Sequence, residues 1–494
     1  MHLPVAILIC GSFLAAPDDA VEQDRLSPAG AQANDFFGAA VCVEGDVAFV
    51  GAHEGTFNLG TSGPGFVVRY RRALGRWMEQ ATIGASDGSN GDWFGYSLDV
   101  SGDTLVVGAP QRSPNTSATG AAYVFVDTGS GWVEQAKLTA SDGANGDHFG
   151  TAVGIDGDTI VVGAGLGPGG AYVFTRSGTS WSETTKLVAS GFGSVSSEYG
   201  KAVAIDGDTI LVGAPGYDNL GYDSGGAFAF VRSGGVWLEQ GSLIPADGAT
   251  LTYHGRSLAL EGDRAVLGGL DVFGGGPGNA YVFERAGSSW TEAQKLVPQG
   301  AASDANFGQT VALSGNSLLI AAPGYESGSN LAGAVHQFER TQSGWVEGPT
   351  IAPSDSAVGD NFGIGLSLDG GTFLVGAPRN DGAGANAGAA YAFVLSSLPF
   401  DIQPRRPSLG QSLTATTRNG IPGNPVLIYL TGFNGSPTSI YTSLGGVFDA
   451  TGTWTISVPL NNSPGPFTVT FQAFALGPPG MRVISSNEIA IDLP

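Results

Sequence analysis

Residues 94–110 read FGYSLDVSGDTLVVGAP. An aromatic-glycine pair opens the stretch, Ser101-Gly102-Asp103 punctuates its middle, and Gly108-Ala109-Pro110 closes it. Between the last two marks, residues 104–107 read Thr-Leu-Val-Val, with residues 105–107 apolar without alternation. Two short strands joined by a tight hairpin account for this pattern, and the second strand is apolar on both faces, as a strand buried between two layers must be.

The same pattern recurs along the chain. Phe37-Gly38, Phe94-Gly95, Phe149-Gly150, Phe307-Gly308 and Phe362-Gly363 are joined by Tyr199-Gly200 and His254-Gly255, at intervals of 57, 55, 50, 55, 53 and 55 residues. A Gly-Ala-Pro type element follows each aromatic position at a constant 14 residues, as at Gly51-Ala52-His53, Gly213-Ala214-Pro215 and Ala321-Ala322-Pro323. Each copy continues with an alternating aromatic strand, such as residues 122–125, and then a strand led by Trp77, Trp132, Trp181, Trp237, Trp290 or Trp345. Four short strands per unit at this period are one blade of a propeller. Seven aromatic-glycine marks stand against six Trp-led strands. Leu26 precedes Phe37 by the same 11 residues that separate Leu138 from Phe149, and Glu22 matches Glu134. Residues 21–26 are therefore expected to complete the seventh blade beside residues 390–394. In such a ring the loops leading to Phe-Gly and the loops after Gly-Ala-Pro share one end.

Composition agrees. Glycine supplies 80 of 494 residues and charged residues only 13%, against about 25% in ordinary domains. Four lysines, Lys137, Lys186, Lys201 and Lys295, exclude helices laced with Glu/Lys pairs. The expected class is all-β: a seven-bladed β-propeller over residues 21–397, followed by a small Ig-like β-sandwich over residues 398–494. In the tail, residues 413–417, 426–431, 453–458, 467–473 and 488–491 read as strands.

A net charge of −23 opposes binding to nucleic acid or to an anionic bilayer. Residues 3–14 (LPVAILICGSFL) are too short to span a membrane but have the length of a signal-peptide core. Residues 1–20 are expected to be a signal peptide, and the protein to be secreted or held at the cell surface as a monomer. With that leader removed, Cys42 is the sole cysteine. It stands in an apolar run and is expected in the core.

Phe-Gly and Gly-Ala-Pro at this spacing resemble the FG-GAP repeats of the integrin alpha-subunit propeller and of many secreted bacterial proteins, over about residues 21–397. The resemblance implies the fold more than the function. Members often carry a calcium loop, Asp-x-Asp-x-Asp-Gly-x-x-Asp, between the first and second strands. The equivalents here are compact, among them Glu44-Gly45-Asp46, Asp156-Gly157-Asp158 and Asp369-Gly370-Gly371. They offer too few oxygens for calcium and read as hairpins with glycine at positive φ.

The acidic pairs Asp87/Asp92, Asp142/Asp147 and Asp355/Asp360 lie seven and two residues before a Phe, with single versions at Asp35 and Asp247. They suit Asx-turns, or failing that weak calcium binding; no other cofactor is expected. Residues 84–88 fit G-x-S-x-G and residues 165–170 fit G-x-G-x-x-G, but neither precedes a helix. His53, His148, His254 and His336 share no repeat position or metal-ligand spacing, so no catalytic residue is nominated. The loops after Gly-Ala-Pro vary while the strands do not, at residues 111–119, 216–225, 324–332 and 379–387. They nominate Tyr217, Asp218, Tyr222, Asp223, Tyr325, Glu326, Arg379 and Asp381 as ligand contacts. The function expected is a noncatalytic binding or adhesion module, or scaffold, that presents an acidic loop face to a protein or glycan. The alternatives are an extracellular polysaccharide lyase or hydrolase using carboxylates of that face, and a calcium-stabilised structural protein.

Overall fold

The computed structural model describes residues 20–54, 63–112, 118–166, 169–190, 197–270, 276–299, 305–324 and 332–395, and the backbone of eight strands between Phe400 and Asp492. Residues 20–394 form one unit and the strands after it another. All regular structure described is β, and no described helix is long and apolar enough to cross a membrane.

The first unit is a seven-bladed propeller of four-stranded antiparallel sheets. In blade 2 the strands run Ser97–Ser101, Thr104–Ala109, Ala121–Asp127 and Trp132–Leu138, from the axis outward. The inner strands pack neighbour on neighbour in a closed ring. Ala20–Leu26 takes the outer place in blade 7, beside Ala389–Leu395, so the last sheet is built from both ends of the propeller. Every residue of Thr104–Ala109 is buried, because the sheet of each blade packs on both neighbours. Val106, Ala122 and Val124 of blade 2, for example, share one apolar cluster with Val153, Ile160 and Tyr172 of blade 3. Cys42 belongs to the cluster between blades 1 and 2 and is 4% exposed.

Two kinds of glycine make the repeat. Gly45, Gly102, Gly157, Gly207, Gly262, Gly315 and Gly370 sit at φ between 54° and 58°, closing the inner hairpin of each blade with open space where a side chain would go. Gly108 has ordinary φ, but a Cβ there collides with the carbonyl oxygen of Gly150 in the next blade; Gly51 stands in the same relation to Gly95. The Gly of Gly-Ala-Pro thus meets the Gly of the following Phe-Gly in backbone-to-backbone contact.

A second ring of contacts joins the outer strands. Glu134 accepts hydrogen bonds from the Ser86 amide (2.8 Å) and hydroxyl (2.9 Å) on the loop leaving blade 1. Glu183 holds Ser141, Glu239 holds Ser190 and Glu22 holds Ser354 in the same way. Glu79, Glu292 and Glu347 accept the amides of Ala29, Ala246 and Gln299. One carboxylate per blade therefore clasps the preceding blade. Inner hairpins repeat the device, as where Gly102 donates its amide to Glu44 (2.7 Å) and Gly207 to Asp156 (2.6 Å).

In the second unit, Phe400–Gln403, Ser412–Thr417 and Trp454–Pro459 form a three-stranded sheet. Pro425–Gly432, Leu444–Val447, Thr468–Ala475, Ile484–Ser485 and Ile489–Asp492 form a second. Strands at Phe400, Leu444 and Ile484 add to the five read from sequence.

Candidate functional site at the Phe-Gly end of the axis

The loops entering Phe-Gly and the loops after Gly-Ala-Pro meet at one end of the propeller. Phe149 donates its amide to Thr119 and Phe37 to Ala387, and Phe307 bridges to Gly278. The acidic pairs lie in these loops, and their carboxylates are occupied. Asp92, Asp147 and Asp360 each accept the amide three residues earlier, from Ser89 (2.7 Å), Ala144 (2.7 Å) and Ala357 (3.1 Å). Asp35 does the same for Gln32. These are Asx-type loop closures.

The other member of each pair looks to the next blade. Asp142 receives the hydroxyl of Tyr172 (2.8 Å) and the ammonium of Lys186 (2.8 Å). Asp87 receives Tyr123, Lys137 and Arg112, and Asp247 receives Tyr281 and Lys295. In blade 7 the cation is Arg25, and Asp355 holds it together with Tyr391. The bonds from Lys137, Lys186 and Lys295 hold Asp87, Asp142 and Asp247 below the usual carboxylate range. Three of the chain's four lysines thus serve one repeated contact, which their scarcity had concealed. Buried Asn380 was also missed: its amide bonds Asp360 (3.0 Å) and Tyr391, and its oxygen accepts from Arg25 (2.7 Å). Among the described residues no group of three or more His, Cys, Asp or Glu side chains could hold a metal ion.

The ligand contacts read from sequence separate. Tyr217 turns inward against Phe228, ring centroids 5.5 Å apart. Asp218 accepts the Asp223 amide, and Asp381 accepts the Asn386 amide. Arg379 donates its own amide to Asp360. Tyr325 and Glu326 lie outside the described residues. Tyr222 is 64% exposed, and beside it the Tyr253 hydroxyl donates to Asp223; burial first, then Asp223, pushes that hydroxyl up to about 12. The Ser of G-x-S-x-G is Ser86, held by Glu134 as described. His254 is buried, with its Nδ1 on the Ser224 carbonyl (2.9 Å) and its ring edge-on to Tyr281. His336 pairs with Glu347 at 2.8 Å, and His148 with Gln111 at 3.2 Å.

A feature hidden from the sequence surrounds the axis. The residue before each aromatic-glycine pair is left-handed in all seven blades: Phe36, Trp93, His148, Glu198, Tyr253, Asn306 and Asn361, at φ from 47° to 61°. Asparagine and histidine tolerate that conformation, whereas Phe, Trp, Tyr and Glu adopt it only at a cost of roughly 1–2 kcal/mol each. Four bulky or charged side chains, Phe36, Trp93, Glu198 and Tyr253, are therefore held at this end against backbone preference. Phe36, Trp93 and Tyr96 surround His53, whose ring lies 5.6 Å edge-on from both Trp93 and Tyr96. Trp93 and Tyr96 stack on each other, 5.7 Å apart and 10° from parallel. Burial lowers His53 to about 4. Burial first pushes the Tyr96 hydroxyl up, with Arg256 of blade 5 opposing the shift and Glu198 of blade 4 adding to it.

A family model described as FG-GAP repeat matches residues 20–67, 77–125, 132–174, 181–230, 237–283, 290–338 and 345–393. The chain belongs to the FG-GAP repeat family. Each match ends within or at the close of a blade's third strand, so the FG-GAP unit read by the family model is offset from the structural blade by its outer strand. A search of curated proteins returns no match. Among solved structures, the chain is similar to a fungal alcohol oxidase of the AA5 family in complex with copper, at 12% identity and TM-score 0.47, covering 97% of this chain and 100% of that one. It is also similar to a chain of a mitotic checkpoint complex, at 11% identity and TM-score 0.46, covering 78% and 96%.

Proposed function

We propose that this FG-GAP propeller is a noncatalytic binding or adhesion module, secreted or displayed at the cell surface, that engages a protein or glycan with the Phe-Gly end of its axis. The observation that carries this reading is the ring of left-handed residues. The fold accepts asparagine at that position in blades 6 and 7, so Phe36, Trp93, His148, Glu198 and Tyr253 are larger than the turn requires. Strain of this kind collects where a ligand is held. The loop of residues 216–225 extends the face outward through Tyr222. Residues 3–14 support export, and the two sheets of the tail support a separate β-sandwich module, Ig-like in kind, that spaces or attaches the propeller.

Screening labelled protein on glycan and protein arrays tests the reading. The wild type is expected to give hits that are weakened when residues 216–225 are replaced by a short Gly-Ser turn and abolished by Tyr96→Ala with Arg256→Ala. Hits that survive both changes would place binding elsewhere.

A further inference from the structure

We infer that the variable loop of blade 4 and the loop entering blade 5 dock a protein segment that carries basic side chains around an apolar anchor, through Leu220, Tyr222 and Leu251. This rests on the reading of the Phe-Gly end as a binding face and names the chemistry of its partner.

The fold contains its own control. Residues 216–225 of blade 4 and residues 379–388 of blade 7 follow the same backbone. Asp218 accepts the Asp223 amide (2.7 Å) as Asp381 accepts that of Asn386 (2.8 Å). Gly225 donates its amide to Tyr217 as Gly388 does to Asn380, both at 2.9 Å, and Ser224 donates to Gly221 as Ala387 does to Gly384. The loop entering the next blade is laid on each in the same way. Leu251 donates to the Tyr222 carbonyl (2.7 Å) and Tyr253 to that of Asp223 (3.0 Å), where Asn34 donates to Ala385 (2.8 Å) and Phe36 to Asn386 (3.1 Å). Left-handed residues fall at the same places: Asp223, Leu251 and Tyr253 at φ 50°, 63° and 47°, against Asn386, Asn34 and Phe36 at 51°, 66° and 53°.

The side chains differ. Ala383, Ala385 and Asn34 stand where this patch has Leu220, Tyr222 and Leu251, so the backbone itself needs none of the three large side chains. Asparagine tolerates the left-handed conformation, whereas leucine is strained in it. Leu220 is 48% and Tyr222 64% exposed, and Leu251 is half-buried. Apolar groups exposed side by side mark interaction surfaces where isolated ones do not, and tyrosine is among the commonest anchors of protein interfaces.

Charge chooses the partner. Residues 216–225 hold Asp218 and Asp223 and no Lys or Arg, a charge of −2, whereas residues 379–388 balance Arg379 against Asp381. Residues 248–253 bring no cation either, and Asp218 is exposed. A second copy would present the same two carboxylates on a chain of −23, so self-association is opposed and a basic partner is favoured. The hydroxyls nearby are spent within the loops: that of Ser224 bonds the Leu220 amide and the Tyr217 carbonyl, and that of Thr252 the Ala249 carbonyl. An apolar centre with an acidic rim fits a peptide better than a sugar.

Panning a display library of random peptides on the full chain, and then titrating the enriched peptides, tests the inference. The comparison is the triple variant Leu220→Ala, Tyr222→Ala, Leu251→Asn, which copies the loops at blades 7 and 1. Enriched peptides are expected to combine Lys or Arg with Leu, Phe, Tyr or Trp and to bind more weakly as salt is raised. Their affinity should fall at least about tenfold in the triple variant while its melting temperature stays at or above that of the wild type. No enrichment, enrichment of acidic or uncharged peptides, or binding unaltered in the triple variant overturns the inference. So does a melt lowered by more than about five degrees, which would assign the three side chains to the fold. If the triple variant abolishes glycan-array hits alone, the partner is a glycan and the inference falls. If it binds peptides as the wild type does while array hits vanish in Tyr96→Ala with Arg256→Ala, the inference falls and the axial face stands. Blank arrays and no enriched peptide bring down both.

Discussion

Gly102 and Gly108 sit six residues apart in the same hairpin and are glycine for different reasons. Gly102 needs its positive φ and has room around it; Gly108 has ordinary φ and no room, because the Gly150 carbonyl occupies the place of a Cβ. Gly102→Asn is therefore expected to change stability by less than about 1 kcal/mol, whereas Gly108→Ala should lower it by about 2–4 kcal/mol, read as urea midpoints. Blade 6 shows how the second change is accommodated: Ala321 stands in place of that Gly, and Gly363 opposite it has shifted to φ 109°. Two titrating residues carry opposite pH signatures. Asp99, on the inner strand of blade 2, is pushed up to about 7 by burial, against the backbone amides of Ile155 and Val100 that bond it. Its folded form takes a proton more readily than the unfolded chain, so its contribution to stability grows as pH falls from about 7 to about 4. His53, lowered to about 4, binds a proton less readily when folded, and its contribution shrinks as pH falls from about 6.5 to about 4. The melting difference between wild type and Asp99→Asn should rise on acidification from pH 8 to 5, and that between wild type and His53→Phe should fall; the reverse slopes would refute these assignments.

At the scale of the strand, the outer edge shows what a repeat discloses. Glu22 and Leu26 were legible because they keep the spacing of Glu134 and Leu138, and Glu22 clasps Ser354 as Glu134 clasps Ser86. The acidic pairs were legible as a spacing but not as contacts, since the partners of Asp87, Tyr123 and Lys137, come from the next blade. Nothing local in the sequence links a loop carboxylate to a lysine 50 residues later; only the blade-to-blade stacking does. The packing of Tyr217 was not legible for a related reason: a variable loop still lays one half-buried aromatic ring against Phe228. Because Ala20–Leu26 brings the outer edge of blade 7, a clasp on blade 6 through Glu22 and the Arg25 contacts, deleting residues 21–30 should lower the melting temperature by well over ten degrees. A melt within two or three degrees of wild type would mean the ring holds without it.

For the whole molecule, the periodic features declared the architecture and the aperiodic ones were silent. Aromatic-glycine and Gly-Ala-Pro marks, the hairpin glycines and doubly apolar strands all point to one ring, and their agreement across levels is what makes a sequence specify a fold. The residue before Phe-Gly differs in every blade but two, and no sequence pattern discloses a left-handed Trp or Tyr, so this ring of backbone conformation leaves no mark in the sequence. With the loop carboxylates engaged by amides, tyrosines and lysines, millimolar calcium should leave the thermal melt where a chelator leaves it, and a rise of several degrees would restore the calcium-stabilised alternative. On the proposed function, the large side chains around the axis are kept for a ligand and not for the fold. That reading is tested most directly by the melting temperature of the triple variant Phe36→Asn, Trp93→Asn, Tyr253→Asn, which gives blades 1, 2 and 5 the residue that blades 6 and 7 already carry. A melt equal to or above that of the wild type is expected, the relieved backbone strain offsetting the lost ring contacts; a drop as large as that of Gly108→Ala would mean that the fold itself needs these side chains.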